Sequence, residues 1–330
     1  MNKTIPKFLV LIIAYSVLIS MWFAAWLIVG DSNWWLTLLN RVVPFLFIPV
    51  PLFLIWGISS RGIKLLTPLL IPCLIFAWIY RPYLFPKPAL SFDQSAQLRV
   101  MTYNVLFSNL EYDAVANVVL AYQPDLVALQ EVQPEMMNAL EEQLADDYSY
   151  FLMGTENTYG TTAVFSRYPF AETEIVDLQT DRPAVVVKTK IKNQDITFAA
   201  VHLLAYNLWW TKLLNIPDVV MQRTANQNRQ ARTLLDRIDK EQGIVIIGCD
   251  CNSYETSSSY RIIDQFMDSA TRQIGWSWGG NELLGTKQDL YFQHIDHVWF
   301  RGDIMPKRVY KIKDDGGSDH LPVLVIFDMH

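Results

Sequence analysis

The sequence predicts an α+β domain preceded by an N-terminal bundle of about three transmembrane helices, and three observations carry that expectation. Residues 98–105, 126–129, 196–201, 244–247 and 321–327 form short, β-branched apolar runs that read as buried strands. A polar island stands at one end of such runs: Thr102-Tyr103-Asn104, Gln130-Glu131, Val201-His202-Leu203, Asp250-Cys251-Asn252, Ile295-Asp296-His297 and Ser318-Asp319-His320. The first quarter of the chain, by contrast, is apolar and almost free of charge.

Residues 8–30 carry no charge and are long enough to cross a bilayer, for which roughly 20 apolar residues suffice. Lys3 and Lys7 precede this run as they would in a signal peptide. The run is nevertheless too long for a signal core, and no small-x-small cleavage site follows it. Two further uncharged stretches give spans near 42–60 and 65–80, bounded by Arg41, Arg61, Lys64 and Arg81. Pro44, Pro49, Pro51, Pro68 and Pro72 make these two irregular, with a re-entrant hairpin as the alternative. Trp34, Trp35, Trp56, Trp78 and Tyr80 sit near the run ends, as interfacial anchors do.

Lys3, Lys7, Arg61 and Lys64 favour a cytoplasmic N-terminus, against the weaker bias of Arg41, Arg81 and Lys87. The expectation is a multi-pass inner or plasma membrane protein whose downstream domain is periplasmic or extracellular. Residues 1–90 are membrane region and linker, the linker being the proline-bearing stretch 81–97, and 91–330 are the catalytic domain.

Burying so many carboxylates and carboxamides costs free energy unless a cation or a phosphate satisfies them, which points to a metal-dependent phosphoester site. The ordered words Asn104, Gln130-Glu131, Ser166-Arg167-Tyr168-Pro169, His202-Leu203, Asp250-Cys251-Asn252, Ile295-Asp296-His297 and Ser318-Asp319-His320 carry a resemblance. From about residue 98 to residue 327 the chain resembles the endonuclease/exonuclease/phosphatase superfamily of DNase-I-like hydrolases. The resemblance implies a four-layer αββα sandwich. It also implies Mg²⁺ as the cofactor, with Mn²⁺ as a substitute, and Glu131 as the direct ligand with Asn104 and Asp319 close by.

Asp250 is then the expected base for the attacking water, and Asn252, two residues on and on the same face of an extended segment, a donor to a phosphoryl oxygen. His202 is expected at the phosphate as donor or as general acid. His320 with Asp296 forms a pair that serves as base or as charged clamp, because a carboxylate fixes an imidazole's tautomer and raises its basicity.

His297 alternates to the other face from Asp296 and reads as a packed histidine, while His294 and His330 stand in no motif. Cys249 and Cys251 look like small buried hydrophobes behind the site, poorly placed to pair with each other. A zinc site would need more ligands than these, and Cys73 lies in an apolar segment.

Of 27 Lys+Arg and 33 Asp+Glu, 7 basic and 1 acidic residue precede Ser91, which leaves 20 basic against 32 acidic in the downstream domain. Such a domain lacks the basic excess that drives polynucleotide binding, so nucleic acid is possible but disfavoured. A lipid or small-molecule phosphoester, presented at a lipid bilayer, is the favoured substrate. The alternatives are a membrane-tethered nuclease and a catalytically idle binding domain. Residues 203–221, with Trp209 and Trp210, read either as a lipid-dipping loop or as a packed lid, and 226–239 as a helix with Arg229, Arg232 and Arg237 on its polar side.

Overall fold

The computed structural model describes residues 7–59, 63–84, 97–155, 159–208, 211–274 and 294–329. Its N-terminal part is helical throughout. Helix α1 (Lys7–Val29) is uniformly apolar and, at 23 residues, long enough to cross a membrane. The expected second span is not one rod. Helix α2 (Trp34–Asn40) meets the piece made of α3 (Val43–Leu46) and α4 (Pro49–Ser59) at an 80° bend. The expected third span is a 3₁₀ turn, Ile63–Leu69, that runs into α5 (Leu70–Ile79) and then the short α6 (Arg81–Leu84).

The prolines explain the breaks, since each removes an N–H and clashes with the preceding turn. One helix long and apolar enough to span is therefore present among the described residues, or two if the bent pair counts as one. Trp34, Trp35 and Trp78 are exposed as anchors would be, but Tyr80 is buried against Phe76 and Tyr83. Lys3, Arg61 and Lys87, on which the orientation rests, lie outside the described residues, as does most of the linker.

Strand β1 (Gln97–Asn104), α7 (Tyr112–Tyr122), β2 (Leu126–Val132), α8 (Pro134–Leu144), β3 (Tyr150–Met153) and β4 (Thr161–Ser166) build half of the downstream domain. The second half runs through β5 (Phe170–Val176), β6 (Ala184–Ile191), β7 (Gln194–His202), α9 (Ile216–Ile238), β8 (Ile244–Asp250), α10 (Ser258–Asp264), β9 (Asp268–Ser269), α11 (Ala270–Ile274) and β10 (Asp296–Arg301). Strands β11 (Ile304–Lys311) and β12 (Val323–Met329) return to the first half. One six-stranded sheet has the order β11-β12-β1-β2-β4-β3 and the other β5-β6-β7-β8-β10-β9.

Because the central strands are apolar on both faces, each sheet must be covered twice. Leu98, Val100, Leu126 and Val164 meet Val187, Phe198, Ile246 and Val298 between the sheets. Helices α7 and α8 cover one outer face through Val115, Val119, Met136 and Leu140. The other outer face packs on Ala231, Leu234 and Ile238 of α9 and on Tyr260 and Ile263 of α10. The result is the two-sheet sandwich that the resemblance implied. Helix α9 begins ten residues earlier than the sequence suggested, so residues 216–221 of the expected 203–221 loop are α-helix, with Pro217 in the first turn.

The sheets approach closely at Gly248. A Cβ built there would lie 2.6 Å from the Ala128 Cβ and 3.1 Å from the Thr102 Cβ of the opposite sheet. Gly248→Val should therefore destabilise the protein by about 1–3 kcal/mol through overpacking. A thermal unfolding midpoint unchanged from the wild type in the same detergent would show that the sheets can part there without strain.

Candidate active site

The register of the strands explains why distant words meet. Parallel pairing sets Asn104 beside Gln130 and His202 beside Asp250, and antiparallel pairing sets Asp296 beside Asp250. All of these lie at one edge of the sandwich, where the loop before β12 adds Asp319 and His320. The word Ser166-Arg167-Tyr168-Pro169 is the exception. Ser166 pairs with Leu126 at the far end of β2, its Oγ accepts from the Tyr168 N–H at 2.9 Å, and Arg167 pairs with Asp147 at 3.2 Å. It is a structural corner.

Asp250 is the centre of the cluster and is buried. Its Oδ2 accepts from Asn104 Nδ2 at 2.8 Å and lies 3.3 Å from His202 Nε2 and 3.9 Å from His320 Nε2, while its Oδ1 accepts from the Asn252 N–H at 3.0 Å. Burial pushes its carboxyl up to about 7, with the His320 charge pulling it back and Asp296 adding to the rise. His320 Nδ1 sits 3.1 Å from both Asp296 oxygens. Burial alone would lower His320, but Asp296 and Asp250 outweigh it and hold the imidazole well above its ordinary value.

Glu131 stands in the left-handed region at φ +63, and Gly160 backs it: a Cβ at Gly160 would lie 2.4 Å from the Glu131 carbonyl. Glu131 Oε2 accepts from the Phe107 N–H at 3.1 Å, and Oε1 lies 3.7 Å from His202 Nε2. Asp319 Oδ1 is buried and accepts no hydrogen bond among the described residues. Glu131, Asn104 and Asp319 offer oxygen atoms, the donor type that a hard divalent cation prefers. Asp250, Asp296 and His320 also bring ligand atoms within 4.8 Å of one another. There the Asp296–His320 hydrogen bond occupies Nδ1 and leaves Nε2 facing Asp250.

Two sequence readings change, and one residue without a sequence signal joins the site. Asn252 is not on the same extended face as Asp250, because β8 ends at Asp250 and Asn252 turns to φ +47, where its Nδ2 donates to the Leu203 carbonyl at 3.1 Å. The same turn brings the Cα atoms of Cys249 and Cys251 to 5.1 Å, within disulfide reach, and the two are bonded to each other. Arg182, in the turn between β5 and β6, was not singled out by any motif, yet its Nη1 meets His202 Nε2. A guanidinium can only donate, so this nitrogen accepts and His202 is neutral, in keeping with a value pushed well below the ordinary by burial and then by Arg182 and His320. Only a lone Arg-Pro in a short polar turn marks Arg182 in the sequence, and that is no signal.

A model of the endonuclease/exonuclease/phosphatase family matches residues 101–320. No curated protein matches the chain. Among solved structures, TDP2 of D. rerio complexed with single-strand DNA product superposes with a TM-score of 0.58 at 19% identity, over 72% of this chain and 100% of that one. An endonuclease/exonuclease/phosphatase from Bacteroides vulgatus gives 0.58 at 15% identity over 71% and 99%. The human Nocturnin catalytic domain with bound sulfate gives 0.54 at 16% identity over 71% and 95%.

His297 lies behind the site. Its Nε2 is 3.1 Å from the Ser253 carbonyl, and its ring packs on Tyr260 and His294. Burial pushes it down to about 4, with the Ser253 bond and Asp296 opposing and Lys311 and Arg272 assisting. The native state thus stays neutral where the unfolded chain, titrating near 6.5, binds a proton. Stability should be whole above about pH 6.5 and fall by up to about 3 kcal/mol as the pH drops towards about 4. His297→Gln, which can still donate to Ser253 but does not titrate, should flatten that slope in thermal midpoints taken between those pH values. An unchanged slope would assign the acid sensitivity to other groups.

Proposed function

The chain belongs to the endonuclease/exonuclease/phosphatase family and is a metal-dependent hydrolase of phosphoester bonds, and on that premise we propose that it is a membrane-anchored, Mg²⁺-dependent phosphoesterase acting on a lipid or small-molecule phosphoester. The observation that carries the proposal is the convergence of Asn104, Glu131, His202, Asp250, Asp296 and His320 on one sandwich edge. Glu131, Asn104 and Asp319 would hold the cation, which when bound supplies charge neutralisation at a phosphoryl oxygen. Asp250, its carboxyl near neutrality and oriented by Asn104, takes the proton of the attacking water.

The His320 imidazolium, fixed by Asp296, faces the same place and stabilises negative charge that builds on the phosphoryl group. Arg182 adds a second fixed cation beside His202. A neutral His202 whose Nε2 is held as an acceptor suits a positioning role at the phosphate better than that of general acid.

Membrane anchoring is supported by apolar side chains left exposed along α1, α4 and α5, among them Leu11, Leu18, Met21, Leu52, Ile55, Leu70 and Leu74. The Cys249–Cys251 bond supports a catalytic domain in an oxidising compartment outside the cytoplasm. Leu213 and Leu214, just before α9, are 83% and 92% exposed, as in a segment that dips into lipid. Trp209 and Trp210 lie outside the described residues. A tethered nuclease is the second reading, favoured by the DNA-bound TDP2 neighbour and opposed by the acidic balance of the domain.

Glu131→Gln should abolish turnover of any substrate, and EDTA should do the same to the wild type. Wild-type hydrolysis that survives the chelator would sink the metal mechanism. Vesicle-borne phospholipid should be cleaved faster than duplex DNA, and Leu213→Ser with Leu214→Ser should slow the vesicle reaction while sparing a soluble phosphodiester. DNA cleavage that outpaces every lipid tested would replace this reading by the nuclease.

A further inference from the structure

The loop that follows Asp250 is held from outside the catalytic domain. Arg41, at the C-terminal end of α2, donates from Nη2 to the Asn252 carbonyl at 3.0 Å, and Gln227 Nε2 of α9 meets the same oxygen at 3.0 Å. The guanidinium carbon lies 3.9 Å from the Tyr206 ring centroid and 5.0 Å from that of Tyr254. These two tyrosines follow His202 and Asn252 in the chain, so one cation of the N-terminal segment grips both loops that leave the site.

Neighbouring contacts continue the same seam. Trp26 Nε1 donates to the Thr256 carbonyl at 2.8 Å, Thr256 Oγ1 donates to the Asn40 carbonyl, and the Ser258 N–H donates to Asp31 Oδ2 at 2.6 Å.

Asn252 is where this seam reaches the chemistry. Asn252 takes φ +47, a left-handed conformation that asparagine tolerates better than most residues, and hydrogen bonds to its N–H, side chain and carbonyl fix it there. In that conformation its N–H lies on Asp250 Oδ1 and its Nδ2 on the Leu203 carbonyl, next to His202. The carbonyl and the N–H of Asn252 belong to the adjacent peptide units that meet at its Cα, so holding the carbonyl restrains the residue whose N–H orients the central carboxylate.

We propose that Arg41 is a positioning residue of the hydrolytic centre, and that the N-terminal helices are part of the active-site framework as well as a tether. Arg41 touches no reacting atom; it acts through Asn252 on Asp250. The inference rests on the hydrolase assignment for its kinetic arm and on geometry alone for its exchange arm.

The test uses full-length protein in detergent, with bis(p-nitrophenyl) phosphate and Mg²⁺ or Mn²⁺, so that no lipid presentation is involved. Arg41→Ala should lower kcat by about tenfold to hundredfold with KM little changed, because a small misplacement of a reacting group has that effect. Arg41→Lys, which keeps a donor and a charge but not the planar fork, should recover part of the loss.

Amide hydrogen exchange at Cys251 and Asn252 should quicken in Arg41→Ala and stay near wild type in Arg41→Lys. Trp26→Phe, which deletes a bond in the same seam but not at Asn252, is the control for mere docking: it should lower the thermal midpoint and keep kcat. Wild-type exchange at Asn252 in Arg41→Ala would overturn the proposal whether or not the phosphodiester is a substrate. So would a kcat loss in Trp26→Phe that matches Arg41→Ala at equal loss of stability.

Discussion

Placing the carboxylate of Asp250 out of water, between two sheets, would cost several kcal/mol if nothing met it, so the elements around it are obliged to supply donors. Asn104 comes from one sheet, the Asn252 amide from the turn that ends β8, and the His320 charge from the loop before β12. Each of these groups is tied in turn: Asn104 to the Leu106 amide at 3.0 Å, His320 to Asp296, Asn252 to Leu203 and Arg41. Moving any one of them leaves a buried charge short of a partner. That demand, more than any single catalytic contact, links the sandwich, its edge loops and the N-terminal helices.

The close approach at Gly248 belongs to the same arrangement. Gln130 lies buried between the sheets, where its Nε2 meets Thr102 Oγ1 at 3.1 Å. Directly opposite, the missing side chain at position 248 lets the two layers meet. Without that meeting, Asn104 of one sheet would not reach Asp250 of the other. Apolar packing brings the layers together, and the absence of one Cβ sets the distance at which the polar edge works.

Much of this was legible in the sequence because it depends on local pattern. Short β-branched runs covered on both faces can only be buried strands, and polar words at their ends could be read in order, so Asn104, Glu131, His202, Asp250, Asp296 and His320 were found without coordinates. The misreadings came where the backbone departs from periodicity. Assuming a straight strand put the Asn252 side chain on the face of Asp250 and left Cys249 and Cys251 unpaired, whereas a residue in the left-handed region sends that side chain to Leu203 and brings the two cysteines together. Arg182 and Arg41 escaped because each acts across the fold from a segment with no chemical signature, and proximity of that kind is set by tertiary packing. The apolar runs at 42–60 and 65–80 were recognised by composition and their irregularity by the prolines, but hydropathy does not register the position or angle of a bend.

The pairing of β1 with β12 also bears on how the protein is made. The two halves of the central sheet that carry Asn104 and precede with His320 lie more than 200 residues apart in the chain, so the pair with Asp296 cannot form until synthesis has passed residue 320. A chain still emerging from the ribosome holds the acidic groups of the site without the arrangement that makes them reactive. Its hydrolytic power is therefore withheld, by topology alone, until the domain closes.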